Sequence, residues 1–171
     1  MQVAVAGNLD PQKCSYIYDM AVHNPEITVN LYGGNFDNKN TQRNVTYCGS
    51  YSPEEIPGVI DAAFGVVWDG TSSDSCVGNT GEYLKYNNPH KTSLYMVAGL
   101  PVIVWDQAAI AEFVVNNGVG IAVSSLNDLA STLQEITEQE YEKMRSNAVQ
   151  VGVRLKSGDY LKKAFLELDI R

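Results

Sequence analysis

Between Tyr86 and Trp105 the sequence reads YNNPHKTSLYMVAGLPVIVW, and these residues spell a turn, a helix and a buried strand without a break. Asn87, Asn88 and Pro89 supply the turn, because a proline restricts the residue ahead of it to extended or turn backbone. Thr92 to Ala98 contains no helix breaker, Gly99 stands where a helix takes its left-handed terminator, and Pro101 prevents continuation. Val102-Ile103-Val104 is an unbroken β-branched run, the pattern of a parallel strand buried on both faces. The helix ahead of it starts with backbone N–H groups that have no partner inside the helix, and His90 and Lys91 stand beside them. That combination suits an anion such as a phosphate. The same pattern also occurs in α/β proteins that bind nothing there, and a lysine at a helix start is commonly just a solvated side chain.

The rest of the chain repeats the alternation. Val3 to Ala6 reads as a buried strand ended by Gly7-Asn8, and Cys14 to Val22 as a helix with Ile17, Met20 and Ala21 inward. Ile27 to Tyr32 reads as an alternating strand closed by Gly33-Gly34, Asn35 to Asn44 as a polar surface loop, and Val45 to Tyr47 as a short strand. Ser52-Pro53-Glu54-Glu55 has the form of a capped helix start, interrupted at Pro57, with a second helical piece to Ala63. Phe64 to Trp68 is strand-like. The polar stretch Asp69 to Tyr83 exceeds the ~12–15 residues beyond which loops are usually functional or disordered. Asp106 caps an expected helix over Gln107 to Asn116, Ile121 to Val123 forms a last strand, and helices follow over Leu126 to Leu133, Glu138 to Val151 and Asp159 to Leu168, with Thr137 capping the second. Strands alternating with helices predict a Rossmann-like, doubly wound parallel α/β sheet, read here as a single domain over residues 1–171. Its ligands belong beyond the carboxyl ends of the strands.

Bulk composition narrows what such a sheet would bind. Twelve basic residues against twenty acidic ones give a net charge of −8, which argues against nucleic acid as a partner, since polyanions need a broad basic face. A small nucleotide held by a local cluster is compatible with that charge. Cys14, Cys48 and Cys76 are odd in number and lack C-x-x-C spacing, so neither a disulfide framework nor a structural zinc site is indicated, and a reduced, cytoplasmic setting is expected. With His23 and His90 the only histidines, a histidine-rich metal site cannot be assembled. No apolar run approaches the ~20 residues of a membrane helix, and MQVAVAGNLD reads as a first strand rather than a signal peptide, so the chain is expected to begin at a domain boundary.

In a parallel sheet the strand ends share one edge, which brings together Gly7-Asn8, Asp69-Gly70 and Asn87 to Thr92. Gly7 would admit a ligand close to the backbone, and Asn8 would cap the following helix or touch a phosphate; an ordinary strand-to-helix turn explains both equally well. Asp69 either accepts a hydrogen bond from a sugar hydroxyl or simply opens an Asp-Gly turn. Tyr51, after Gly49-Ser50, either stacks on a flat base or closes the sheet as a half-exposed ring. Trp68 and Trp105 end apolar strands and are read as packing residues. There is no G-x-G-x-x-G and no P-loop, which removes the main support for dinucleotide and ATPase readings. Cys76 with His90 lacks the context of a thiol nucleophile and its base.

The string P-x-K-x-x-x-Y-x-x-A-G-x-P-V-I at Pro89 to Ile103, with AGNLD upstream and AAFGVVWDG between, resembles the nucleotide-binding half of GT-B glycosyltransferases. More closely it resembles the bacterial galactofuranosyltransferases and Gtf3-like glucosyltransferases. The resemblance implies a UDP-sugar donor, transfer of a hexosyl group (galactofuranosyl or glucosyl) to an acceptor hydroxyl, no metal or other cofactor, and a cytoplasmic enzyme, with a peripheral position at the inner membrane face left open. It implies diphosphate-binding roles for Lys13 and Lys91, and a base-facing turn at Tyr51. It also implies an N-terminal acceptor-binding domain towards which Leu155 to Leu168 would pack; homo-oligomerisation stays open. Where many GT-B enzymes carry a ribose-binding glutamate this chain has Leu94, so a ribose contact would fall to backbone groups or to Asn87 and Asn88. Two other readings share the fold: a nonenzymatic nucleotide-binding or interaction module, and half of a nucleotide-sugar epimerase.

Overall fold

The computed structural model describes residues 1–37 and 42–169. Its strands are β1 (Gln2–Ala6), β2 (Thr28–Tyr32), β3 (Val45–Gly49), β4 (Phe64–Val67), β5 (Val102–Trp105) and β6 (Gly120–Val123). All pair in parallel, in the order β3-β2-β1-β4-β5-β6. The expected Rossmann-like α/β sheet is therefore the fold observed. The order reverses between β1 and β4, so the chain leaves these two neighbours in opposite directions and a crevice opens at their carboxyl ends. Their mutual ladder covers only Val3↔Phe64 and Ala4↔Gly65, against five pairs between β1 and β2.

The helices are α1 (Pro11–Cys14), α2 (Tyr16–His23), α3 (Ile56–Val59), α4 (Gly78–Tyr83), α5 (His90–Val97), α6 (Ala111–Asn116), α7 (Leu129–Gln134), α8 (Glu138–Lys156) and α9 (Asp159–Asp169). Several differ from the sequence expectation for identifiable reasons. The helix expected from Cys14 begins three residues earlier, because Asp10 caps it by accepting from Gln12 N–H at 2.9 Å and Pro11 preorganises its first turn; it then breaks at Ser15. Pro57 does not interrupt a helix. It lies in the first turn of α3, where a missing N–H costs nothing, and the chain turns extended at Ile60 instead of continuing to Ala63. Ser52 N–H still donates to Glu55 Oε2 at 2.9 Å, but this closes a turn ahead of α3.

Asp106 caps no helix: residues 106–110 form turns and α6 starts at Ala111. Likewise α7 starts at Leu129, three residues late, whereas α8 runs five residues past Val151 behind a complete capping box of Thr137 and Glu140. The stretch after Asp69 holds α4 and is tied down, with Trp68 Nε1 donating to Ser72 O at 2.9 Å and Leu126 N–H to Ser73 O at 2.7 Å. Of the polar loop after Asn35, residues 38–41 lie outside the described residues.

β2 does not alternate; Val29 to Tyr32 are all buried, as expected of a strand with parallel neighbours on both sides. Its one buried polar residue, Asn30, donates to Asp61 O at 2.7 Å. Asn24 satisfies its buried amide fully, donating to Met20 O and Leu126 O and accepting from Ala130 N–H. Asn44 reaches three carbonyls, Ala21, Asn24 and Ile27, so its amide nitrogen is engaged within the fold.

The Tyr95 ring of α5 lies flat against Gly65 of β4, where a methyl group would overlap the ring. Gly65→Ala is expected to destabilise the domain by ~1–3 kcal/mol, the usual cost of overpacking a closed interior. An unchanged urea midpoint would show that α5 can lift off the sheet at no cost.

Candidate functional site at the β1/β4 crevice

Lys91 and Tyr95 are four residues apart on α5 and so share one face, the face against the sheet. Tyr95 Oη accepts from Ala6 N–H at 2.7 Å and donates to Val66 O at 3.3 Å, joining the carboxyl ends of β1 and β4. One turn earlier, Lys91 Nζ donates to Trp68 O and to Asp69 Oδ1, each at 2.9 Å. The side chains of this ion pair keep 21% and 29% of their exposure, so it sits at the wall of the crevice and not beneath it. An ammonium has three donors, and one of Lys91's remains for a ligand. The first turn of α5 has no side-chain cap, because Pro89 has no polar side-chain group to offer its amides.

Around this centre the loops are stitched to one another. Gly70 N–H donates to Lys13 O at 3.1 Å, tying the β4 loop to α1. Gly7 N–H donates to Tyr32 O, Leu9 N–H to Gly34 O, and Gly33 N–H to Gly49 O, which links the ends of β1, β2 and β3. Asn8 does not cap a helix, since Asp10 does; its Oδ1 accepts from Asp10 N–H and from Asn35 Nδ2, both at 3.0 Å. Asn35 itself is held at φ 63°, a conformation asparagine tolerates better than most residues.

The residues singled out in the sequence thus divide. Lys91 and Asp69 meet directly, and Lys13 lies alongside in backbone contact, with its side chain exposed. Gly70 contributes no free amide to a ligand, because its N–H is held by Lys13 O. At φ 112°, with space for a Cβ closed off by Val77 O at 2.5 Å, it serves as a turn. Asn88, His90 and Thr92 line a cavity of ≈ 290 Å³ between α5, α6, α8 and α9, while Asn87 is half-buried in the turn ahead of α5. Tyr51 is 38% exposed at the end of β3; its hydroxyl donates to Cys48 O at 3.0 Å and its ring covers Gly49. Trp68 and Trp105 are packing residues as expected, buried edge to face with centroids 6.4 Å apart.

Sequence reasoning gave Tyr95 no role. The K-x-x-x-Y spacing would have placed it on the Lys91 face, but nothing in the pattern says that its hydroxyl reaches two strands. Phe36 and Tyr47 were also missed: they stack at 4.5 Å beside Gly33, whose carbonyl accepts from Tyr47 Oη. Two of the three thiols are buried and inert. Burial pushes Cys14 up to about 11 and Cys76 up to about 12, so neither supplies a thiolate near neutrality, in agreement with the rejection of a cysteine nucleophile. Among the described residues no group of three or more His, Cys, Asp and Glu side chains could hold a metal ion, and no helix is long and apolar enough to cross a membrane.

Residues 3–168 match the family model of the glucosyltransferase 3-like, C-terminal domain. The chain belongs to this family. It is 39% identical over 171 residues to the β-1,6-galactofuranosyltransferase WbbI of Escherichia coli K12, a match covering 97% of this chain and 48% of WbbI. It is 27% identical to glucosyltransferase 3 of Streptococcus gordonii, covering 88% of this chain and 51% of that protein. The chain thus spans about half the length of the curated relatives it matches. Among solved structures, the Anabaena protein Alr3699/HepE in complex with UDP and glucose superposes with a TM-score of 0.60 at 15% identity, over 96% of this chain and 47% of that one. These matches agree with the family resemblance read from the Pro89 to Ile103 block.

Two measurements check the thiol assignment. At about pH 8 a small chromogenic thiol reagent is expected to label Cys48 rapidly and the other two cysteines only after unfolding. Because the folded-state values of Cys14 and Cys76 lie above the ordinary 9.0, the unfolded chain releases these protons first as pH rises. The stability present below pH 9.0 is therefore expected to decline between there and about 12. Rapid labelling of two or three thiols in the native protein would contradict the assignment.

Proposed function

We propose that this chain is the donor-binding domain of a glycosyltransferase that moves a hexosyl group, galactofuranosyl or glucosyl, from a UDP-sugar to an acceptor hydroxyl in bacterial glycan or glycoprotein synthesis. The observation that carries the reading is the convergence at the β1/β4 crevice. A lysine with a spare donor, the start of α5 and a carboxylate lie together on the edge where an open parallel sheet takes its ligands. The activities for which WbbI and glucosyltransferase 3 are named, and the UDP and glucose held by HepE, support it.

In this scheme the diphosphate lies across the crevice, where Lys91, Lys13 and the first amides of α5 offset the charge that grows on it as the glycosidic bond breaks. Donors fixed in advance need not reorganise during the reaction, which is why the tether of Lys91 to Trp68 O matters. Tyr51 offers its half-exposed ring to the uracil. No metal or other cofactor enters the scheme.

The acceptor would be supplied by an N-terminal domain. The relatives' double length supports its existence, and α9 offers it a surface: Leu161, Phe165 and Leu168 recur on one side of the helix and are 60–65% exposed. Alone, this domain would bind nucleotide weakly and would not catalyse transfer, since acceptor and donor are not held against each other. The cytoplasm is the proposed setting, in keeping with three free cysteines.

Calorimetric titration with UDP, ADP and GDP tests the reading. Selective UDP binding is expected, weakened about tenfold or more by Lys91→Ala through loss of a charge-assisted hydrogen bond. Equal affinity for the three nucleotides, or none at millimolar concentration, would count against it.

A further inference from the structure

The carboxylate of Asp69 is fixed more firmly than an Asp-Gly turn requires. Its Oδ1 is held by Lys91 Nζ at 2.9 Å, and that nitrogen is anchored in turn to Trp68 O at 2.9 Å, the carbonyl of the preceding residue. Gly70 behind it is locked to Lys13 O, so backbone and side chain are both immobilised at the carboxyl end of β4, on the wall of the crevice. The side chain remains 29% exposed, and Oδ2 has no partner among the described residues. A carboxylate oxygen only accepts, and it repels a diphosphate. What a fixed, accessible carboxylate beside an anion site can hold is a neutral ring bearing hydroxyl groups.

We propose that Asp69 is a specificity-determining residue that accepts a hydrogen bond from a sugar hydroxyl of the donor, with Lys91 as its positioning partner. The inference rests on the function proposed above and deepens it. Lys91 has two tasks here: one N–H orients Asp69, and its remaining donor serves the phosphate. A UDP-sugar offers hydroxyls in two places, the hexose and the ribose, and the chemistry of recognition is the same for both.

The pair makes a prediction that a purely structural role does not. Asp69→Asn removes the acceptor charge and leaves the Lys91 charge uncompensated, so the affinity for UDP is expected to hold or to rise. The affinity for a sugar-bearing ligand is expected to fall relative to it. UDP and 2′-deoxy-UDP carry the same charge as each other, as do UDP-glucose and UDP-galactofuranose, so changes at Lys91 cancel in the ratio within each pair. Affinities of the wild-type chain, Asp69→Asn and Asp69→Glu for these four ligands, measured by ligand-observed NMR, supply the ratios. If the hexose is the source, the preference for one of the two UDP-hexoses over the other falls about tenfold in Asp69→Asn, as expected for a hydrogen bond to a charged group. If the ribose is the source, the preference for UDP over 2′-deoxy-UDP falls instead. Asp69→Glu retains the charge and the pairing but displaces the oxygen by a methylene, so it should lower the same ratio while leaving UDP affinity unchanged; it also serves if the asparagine variant does not fold. Ratios that stay constant in both variants would overturn the proposal while leaving UDP binding intact. Failure of the wild-type chain to bind UDP would remove the functional reading itself.

Discussion

At the carboxyl ends of β1 and β4 the shared ladder has already stopped, and Ala6 N–H and Val66 C=O lie beyond its last pair. One hydroxyl, Tyr95 Oη, meets both. Without it two buried backbone groups would lack partners, each costing about 1–3 kcal/mol. With it the strands can splay while both of these groups stay satisfied, and the crevice is the space that the splaying leaves. Tyr95 is thus a spacer as much as a core residue, and α5 is placed against the sheet by that contact.

The proposed pairing of Lys91 with Asp69 depends on the same helix. Tyr95 sets the height and rotation of α5 over β4, and Lys91, one turn towards the amino end, is thereby delivered to Trp68 O and Asp69. The other face of α5 packs on α8, so the helix is clamped from both sides. A lysine on a free surface helix would lose considerable side-chain entropy when it engaged an anion. Here that freedom has already gone in folding. Lys91 is held in place because its neighbour four residues on belongs to the core.

Much of this architecture follows from residues that act locally. Unbroken apolar runs such as Val102 to Val104 identify strands buried on both faces, and Gly99 and Pro101 bracket the end of α5 because their backbone demands hold in any context. Asp10-Pro11 would have placed the start of α1 had it been weighed as a cap and first-turn proline. Element boundaries that depend on distant partners were misjudged for the same reason throughout. Asp106 has the chemistry of a cap, yet its N–H is taken by Val123 O on the neighbouring strand, and α6 starts five residues later. The site divides similarly. Lys91 and Asp69 were each identifiable from motif and position, whereas their pairing and the loss of the Gly70 amide to Lys13 are settled by three-dimensional contacts between segments far apart in the chain.

The two tryptophans carry a further consequence. Trp68 and Trp105, the only indoles in the sequence, sit edge to face at the ends of adjacent strands, 6.4 Å apart with planes inclined by 60°, and Lys85 lies 5.3 Å from the Trp105 ring centre. The carbonyl of Trp68 is also the anchor of Lys91. Two chromophores this close and this inclined couple their transition dipoles, so the pair contributes to the near-ultraviolet circular dichroism a signal whose geometry is set beside the crevice. The protein carries its own optical gauge, mounted on the peptide that holds Lys91.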